Sequence, residues 1–237
     1  MQARTILVAT AALLLAAALP ATADTLITVK CTTGDLSTIQ EFAIECHGNA
    51  VNWVLSDPID IMAGDVLLAT IKELGFQSDV EPYVNLRFAV EAGATDTTFD
   101  ISSAVVSFDP LMDVVAYASA GVTLTSNADG AMITGLFDDG MSYEARYNSS
   151  TVFADLVAGF SISGDDTVTH RDRKPASGYD PIAGTVSSIQ SEFKFILSAL
   201  DQASGTSRFE ALGVAVPEPA TMGLLALGGL ALIRRRR

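Results

Sequence analysis

The stretch Tyr83-Val84-Asn85-Leu86-Arg87-Phe88-Ala89-Val90 decides how the rest of this chain is interpreted. Its large apolar side chains stand at every second position, with polar or small residues between them. Side chains of a β-strand point alternately to the two faces of a sheet, so this pattern predicts a strand with one buried and one solvated face. The same alternation returns in residues 99–103, which run into Val105 and Val106.

Similar stretches, rich in Thr, Val, Phe and Tyr, occur along most of the chain. They are residues 26–29, 42–45, 51–55, 66–71, 114–125, 131–137, 141–147, 156–162, 193–200 and 206–212. Turn residues such as Asn, Asp and Gly separate them. This pattern predicts an all-β fold, a single antiparallel β-sandwich that is jelly-roll-like. No segment rich in Pro or Ser divides the body, so we expect one domain over residues 24–213.

Four segments of the body need a separate interpretation. Residues 65–74 fit a helix by propensity, but a strand buried on both faces is preferred. Residues 149–157 are interpreted as one short helix, and residues 167–180 as a long exposed loop or crossing connection. The stretches 192–199 and 207–213 are predicted to pair as the last hairpin, around the turn at residues 202–205.

Composition narrows the classes of function. The 237 residues carry a formal net charge of −14, 49% of them are hydrophobic and 18% are charged. Disorder throughout is excluded by this apolar content. The acidic balance argues against nucleic acid as a partner, because phosphates attract Lys and Arg.

The N-terminus has the pattern of a secretory signal peptide over residues 1–23. Arg4 precedes an apolar run over residues 6–19, and Pro20 and the small-residue sequence Ala21-Thr22-Ala23 follow it. These are the positive region, the apolar region and the cleavage site of such a peptide. We therefore expect an N-terminal signal helix that signal peptidase removes by cutting between Ala23 and Asp24. The alternative is an uncleaved membrane anchor.

The C-terminal tail, residues 214–237, contains three features in a fixed order. Pro217, Glu218 and Pro219 come first, and they are expected to be extended, since proline fixes φ and lacks an amide proton. An apolar run over residues 220–233 follows, long enough for a short transmembrane helix of roughly 21 Å. A cluster of four arginines, which resists transfer across the inner membrane, ends the chain: Arg234, Arg235, Arg236 and Arg237.

The order of Pro-Glu-Pro motif, apolar span and arginine cluster resembles the PEP-CTERM sorting signal of Gram-negative bacteria. The resemblance covers only the last 21 or so residues and does not extend to the body. It implies recognition by an exosortase in the inner membrane, and removal of the tail near the motif. It also implies passage of the body to the cell surface or to an exopolysaccharide matrix. An ordinary tail anchor with a chance motif is the alternative.

The two cysteines, Cys31 and Cys46, both lie in the exported region. In an oxidising compartment they are predicted to form one disulfide. Two reduced cysteines are one alternative. A metal site that includes His47 is another, although too few ligands lie nearby for a typical zinc site.

Motifs of catalysis are missing from the sequence. It contains no Gly-x-Ser-x-Gly, no His-Glu-x-x-His and no phosphate-binding loop. Only His47 and His170 are available as bases for a serine triad. The acidic pairs 138–139 and 165–166 lie in turn-like contexts, where Asp satisfies backbone donors. We therefore expect no catalytic residue, no metal and no cofactor, with a structural calcium ion at these turns as the alternative.

The function that the sequence predicts is that of an exported, non-catalytic protein of the cell surface or extracellular matrix, associated with exopolysaccharide or biofilm. The alternative is a carbohydrate-binding module for matrix polysaccharide, with Tyr143 and Tyr147 as sugar contacts on one face of a strand. A secreted hydrolase is a further alternative. Exosortase, signal peptidase and the inner membrane are the expected partners during export.

Overall fold

The computed structural model describes residues 24–44, 50–79, 81–127 and 129–215. These residues form strands β1 to β16 and one 3-10 turn, Asp138–Gly140. The strands are β1 Asp24–Thr33, β2 Leu36–Ile44, β3 Val51–Val54, β4 Ile59–Ala63, β5 Val66–Asp79, β6 Tyr83–Ala92, β7 Thr97–Ser103, β8 Val106–Thr125, β9 Ala131–Gly135, β10 Met141–Tyr147, β11 Thr151–Ala158, β12 Phe160–Ile162, β13 Thr167–Lys174, β14 Asp180–Pro181, β15 Val186–Leu197 and β16 Gln202–Ala215.

Hydrogen bonds join these strands into one antiparallel sheet with the central order β2-β1-β7-β15-β8-β16-β6-β5-β3. The sheet curls at β8, which is 20 residues long. The first part of β8 pairs with β15, and its second part pairs with β16 on one side and β13 on the other. Asp113, with φ of 52°, lies where this pairing changes. The strand therefore belongs to both layers of the curled sheet.

Phenylalanine rings fill the space between the two layers. Phe88 on β6 contacts Phe193 and Phe195 on β15, with ring centroids 4.9 and 5.6 Å apart. Phe195 also stacks on Phe99 of β7 at 5.5 Å. These side chains are almost completely buried. The alternation in β6 thus places Val84, Leu86, Phe88 and Val90 in the core, as the sequence predicts.

Three of the ambiguous segments are strands. Residues 66–79 form β5, so the preferred interpretation of the 65–74 segment is confirmed. The helix expected over residues 149–157 is wrong, because residues 151–158 pair with β10 as β11. The exposed loop expected over residues 167–180 is also wrong in its first half, where β13 pairs with β8 along its whole length. The sequence of β13 is mostly polar and lacks an apolar alternation that would predict a strand, since an edge strand on a solvated surface needs few apolar residues.

The predicted last hairpin does not form. β15 pairs with β7, β8, β9 and β10, whereas β16 pairs with β6 and β8, so the two strands lie in different layers. The connection between them is bound to the end of β6: the amide of Ala92 donates to the carbonyl of Asp201 at 3.0 Å, and the amide of Leu200 donates to that of Gly93 at 2.9 Å. These bonds direct the chain across the core and place β16 beside β6.

The all-β, antiparallel prediction is confirmed. The arrangement differs from the expected jelly roll, in which two Greek keys form two sheets, because one continuous hydrogen-bonded sheet curls on itself. The predicted signal helix and the predicted transmembrane helix lie outside the described residues. Among the residues that are described, no helix is long and apolar enough to cross a membrane.

Candidate functional site

Several predicted site residues fall outside the described ranges, and their predictions stay predictions. These are Ala23, Cys46, His47, Pro217, Glu218, Pro219, Arg234, Arg235, Arg236 and Arg237. Two described residues adjoin them. Asp24, the expected first residue after signal cleavage, begins β1, and Ala215, two residues before the Pro-Glu-Pro motif, ends β16.

Cys31 lies in the core on β1, and its side chain is completely buried. Within the described part of the chain it forms no disulfide and is a free thiol. Burial raises the pKa of this thiol to about 12, so very little of the reactive thiolate is present at neutral pH. The disulfide with Cys46 remains a prediction about a residue that is not described.

Tyr143 and Tyr147 differ in their environment although both lie on β10. Tyr143 is 0% exposed, packs 4.9 Å from Phe193, and shares a hydrogen bond of 2.9 Å with Ser191. Burial raises its pKa to about 12. A ring without an accessible face cannot stack on a sugar, so the predicted sugar contact is wrong for Tyr143. Tyr147 is half-buried against the core, and its role stays a prediction.

The candidate site is instead the solvent-facing surface of one layer, formed by β13, β8, β16, β6, β5 and β3. Four of the five arginines in the region 24–216 lie on this surface: Arg87, Arg171, Arg173 and Arg208. We name it the arginine face, defined by these four residues. Their clustering contrasts with the whole region 24–216, which contains 27 acidic and 9 basic side chains.

The first row of the arginine face crosses the sheet at a single register. Arg171 lies beside Gly121, Gly121 beside Thr206, Thr206 beside Arg87, and Arg87 beside Gly75. Both arginines lean over the glycine of the next strand. A Cβ atom built on Gly121 would lie 3.1 Å from Cγ of Arg171, and one built on Gly75 would lie 2.4 Å from Nε of Arg87. The glycines thus let both side chains lie low along the sheet.

The second row runs parallel to the first and is polar throughout. It consists of Arg173, Ser119, Arg208, Asn85, Gln77 and Asn52. Asn85 donates a side-chain hydrogen bond of 3.1 Å to Gln77. Ser119 therefore lies between Arg173 and Arg208, and the amide side chains continue the row beyond Arg208.

Tyrosine rings lie at the edge of the arginine face, next to Arg173 and Arg208. The guanidinium of Arg173 lies 4.7 Å from the ring centre of Tyr117, and that of Arg208 lies 4.2 Å from the ring centre of Tyr83. These are cation–π contacts. Tyr179 donates a hydrogen bond of 2.9 Å to Glu210, which raises the pKa of the tyrosine hydroxyl. The rings hold the arginines in fixed positions.

The four arginines differ in how far carboxylates neutralise them. Arg208 donates to Glu210 through Nε at 2.8 Å, and Arg87 lies 3.2 Å from Glu73. Arg173 donates to the backbone carbonyls of Ala176 and Gly178. Within the described residues neither Arg171 nor Arg173 forms an ion pair, so their positive charge is available to a ligand.

Two shallow grooves cross this surface and meet at Thr206. One, of about 620 Å³, is lined by Arg171, Arg173 and one acidic residue, Asp172, together with Ser119, Gly121 and Thr206 among others. The second, of about 440 Å³, includes Asn52, Gln77, Asn85 and Arg87. The combined surface is an elongated, polar and positively charged depression across the strands.

A second charged cluster lies on the other layer. Glu144 on β10 is the cross-strand neighbour of both Asp155 on β11 and Glu192 on β15, and Arg146 forms ion pairs with Glu144 and Glu192. Burial raises the pKa of Glu192 to about 7, and it also raises those of Glu144 and Asp155. The cluster thus places three carboxyl groups around one guanidinium.

The acidic turns considered for calcium have ordinary roles where their contacts are known. Asp166 accepts the amide of Thr167 at 2.7 Å, as expected of a turn aspartate. In residues 24–44, 50–79, 81–127 and 129–215, no group of three or more His, Cys, Asp or Glu side chains is arranged to hold a metal ion.

Sequence reasoning missed the arginine face as a unit. The alternation in residues 83–90 does place Arg87 opposite the apolar side chains, and this was a usable signal. The sequence predicts a loop around Arg171 and Arg173, and no local pattern relates Arg171 to Arg87, 84 positions earlier.

The described residues define an all-β body with a polar, positively charged face, and the sequence continues beyond the last described strand. A family model for the PEP-CTERM protein-sorting motif matches residues 215–237. The chain thus carries this motif at its C-terminus, which confirms the resemblance, and the motif implies a protein sorted by way of an exosortase to the cell surface. No curated protein and no solved structure matches the chain.

Proposed function

We propose that this chain is an exported, non-catalytic protein of the cell surface or exopolysaccharide matrix, whose β-sheet body is delivered by the C-terminal sorting signal. The observation that carries the proposal is the match of the sorting motif to residues 215–237. The position of the strands supports it. The described strands lie within residues 24–215, so cleavage between Ala23 and Asp24 and cleavage near Pro217 would leave each of them uncut.

The contacts of His170, the histidine on β13, support a non-catalytic body. Its ring stacks on Phe160 with centroids 4.0 Å apart and an interplanar angle of 16°. A general base of a serine triad needs hydrogen bonds to a nucleophile and to an orienting carboxylate. His170 makes neither to any described residue, and we assign its ring to packing between β13 and β12.

The test replaces Pro217 and Pro219 by alanine. Without the prolines a helix can extend upstream from the apolar span, so we expect an exosortase to lose an extended recognition segment. The precursor should then accumulate in the inner membrane, with the four terminal arginines retained in its intact mass. Val214→Ala, which changes an exposed residue just before the motif, is the matched control. Normal surface delivery of the double proline variant would overturn the proposal.

Binding of matrix polysaccharide is the second candidate function, and the arginine face favours it. Sugars are recognised by hydroxyl and amide side chains together with planar groups, and the grooves present both. The predicted contact at Tyr143 is excluded by burial, so this candidate now rests on a different part of the molecule.

A further inference from the structure

We propose that the arginine face binds an acidic polysaccharide, whose carboxylate groups are held by Arg171 and Arg87 while its hydroxyl groups contact the polar side chains between them. The inference deepens the second candidate function and rests on it, because a matrix polymer is met only outside the cell.

The shape of the surface suits an extended polymer. Arg171 and Arg87 lie on strands three spacings apart, so their Cα atoms are separated by about 14 Å. Only Gly121 and Thr206 lie between them in the row. Two small residues leave a depression that a chain of sugar rings can occupy, and the two grooves that meet at Thr206 continue it to β3.

The charges select an anionic ligand. A guanidinium donates two parallel hydrogen bonds to a carboxylate, a geometry that lysine cannot reproduce. Arg171 is exposed and forms no ion pair with a described residue, so a ligand carboxylate would replace water and not an internal partner. The region 24–216 has a net charge near −18, so the protein as a whole repels anions. An anionic ligand must therefore be held by direct contacts with the arginine face.

The same features favour a polysaccharide over nucleic acid. Proteins that bind single strands stack bases on free aromatic faces. On this surface the rings of Tyr83 and Tyr117 are already covered by Arg208 and Arg173, and the exposed ring of Tyr179 packs edge-on against Tyr117. A polymer of sugar acids offers hydroxyl groups to Ser119, Thr206 and Asn85 as well as carboxylates to the arginines.

The experiment measures binding of the exported protein to polygalacturonate, with dextran as the uncharged polymer and single-stranded DNA as the rival polyanion. We expect polygalacturonate to bind and the other two to bind at least tenfold more weakly. Arg171→Gln removes a side chain without an ion-pair partner and should weaken binding about tenfold, as for a lost charge-assisted hydrogen bond. Arg87→Gln should weaken binding less, because Arg87 already pairs with Glu73 at 3.2 Å, and the double variant should bind more weakly than either.

Lys174→Gln is the matched control. Lys174 carries the same charge on the same strand, but it points to the other side of β13, where it lies 5.6 Å from the ring centre of Phe153. It should leave binding within twofold. Equal losses in Arg171→Gln and Lys174→Gln, equal binding of dextran, or equal or tighter binding of DNA would each overturn the proposal. An unchanged unfolding midpoint for Arg171→Gln excludes misfolding as the cause of a loss.

The outcome is separable from that of the sorting proposal. Arg171→Gln should reach the cell surface normally, since the arginine face lies outside the sorting tail. A protein that is delivered correctly but does not bind polygalacturonate overturns the inference alone. If the parent protein binds polygalacturonate and the variant with Pro217 and Pro219 replaced by alanine still reaches the surface normally, the sorting proposal alone is overturned.

Discussion

Among single residues, Glu192 has the strongest reason to respond to pH. It lies on β15 with 8% of its surface exposed, beside Arg146, Lys194, Asp100 and Glu144. Burial is the largest cause of its raised pKa of about 7, and Asp100 and Glu144 raise it further, whereas Arg146 and Lys194 lower it. Two cations therefore do not offset the cost of removing this carboxylate from water.

The raised pKa of Glu192 predicts how stability changes with pH. The folded state binds this proton more tightly than the unfolded chain, so the free energy of unfolding should fall as pH rises from about 4.5 to about 7. Glu192→Gln should reduce that decline and stabilise the protein at pH 8 by an amount of order 1 to 3 kcal/mol. Urea unfolding of both proteins between pH 5 and 8 measures the difference.

Part of the decline should remain in Glu192→Gln, because the pKa values of Glu144 and Asp155 are also raised. Glu81→Gln, which removes an exposed carboxyl in the turn before β6, is the control for the loss of one negative charge. An identical slope in Glu192→Gln and the parent protein would show that Glu192 does not titrate in this range.

At the scale of strands, β6 and β16 pair so closely that one position cannot carry a side chain. Gly205 is the cross-strand partner of Phe88, and both lie on the buried face. A Cβ on Gly205 would lie 2.4 Å from Cε1 of Phe88. The ring cannot retreat easily, because Phe193 and Phe195 of the opposite layer pack against it.

Gly205→Ala should therefore lower the free energy of unfolding by about 1 to 3 kcal/mol through overpacking. Ser204→Ala, at the neighbouring position that faces solvent, should change it by less than about 0.5 kcal/mol. Replacing Phe88 by leucine in the Gly205→Ala background should return part of the loss, which a double-mutant cycle in urea measures. Equal stability of Gly205→Ala and the parent would contradict the packing described here.

Strand positions were predictable from the sequence to a greater extent than strand partners. Alternation is a local property, so β6 and β7 and the outward direction of Arg87 could be predicted from residues 83–103. Strand pairing depends on the whole fold. The expected hairpin of β15 with β16 does not form, because the connection at Asp201 is hydrogen-bonded to Ala92 at the end of β6. The arginine face needs strands β6, β13 and β16 to be assembled, and no single segment indicates it.

For the molecule as a whole, the distribution of charge is uneven. The region 24–216 has a net charge near −18, while its arginines concentrate on one face. Repulsion among the carboxylates keeps copies apart in solution and also destabilises the compact state. The arginine face attracts anions over short distances only, because salt screens charges beyond a Debye length of about 10 Å at 0.1 M.

Salt should consequently affect stability and binding in opposite directions. Raising NaCl from about 20 to about 500 mM at pH 7 should increase the Tm by a few degrees, because it screens the repulsion that favours the unfolded chain. The same change should weaken binding of polygalacturonate to the arginine face. At pH 4, where many carboxylates are protonated, the rise in Tm should be smaller. A Tm that falls with NaCl at pH 7 would mean that local ion pairs, such as those of Arg146 with Glu144 and Glu192, outweigh the net charge.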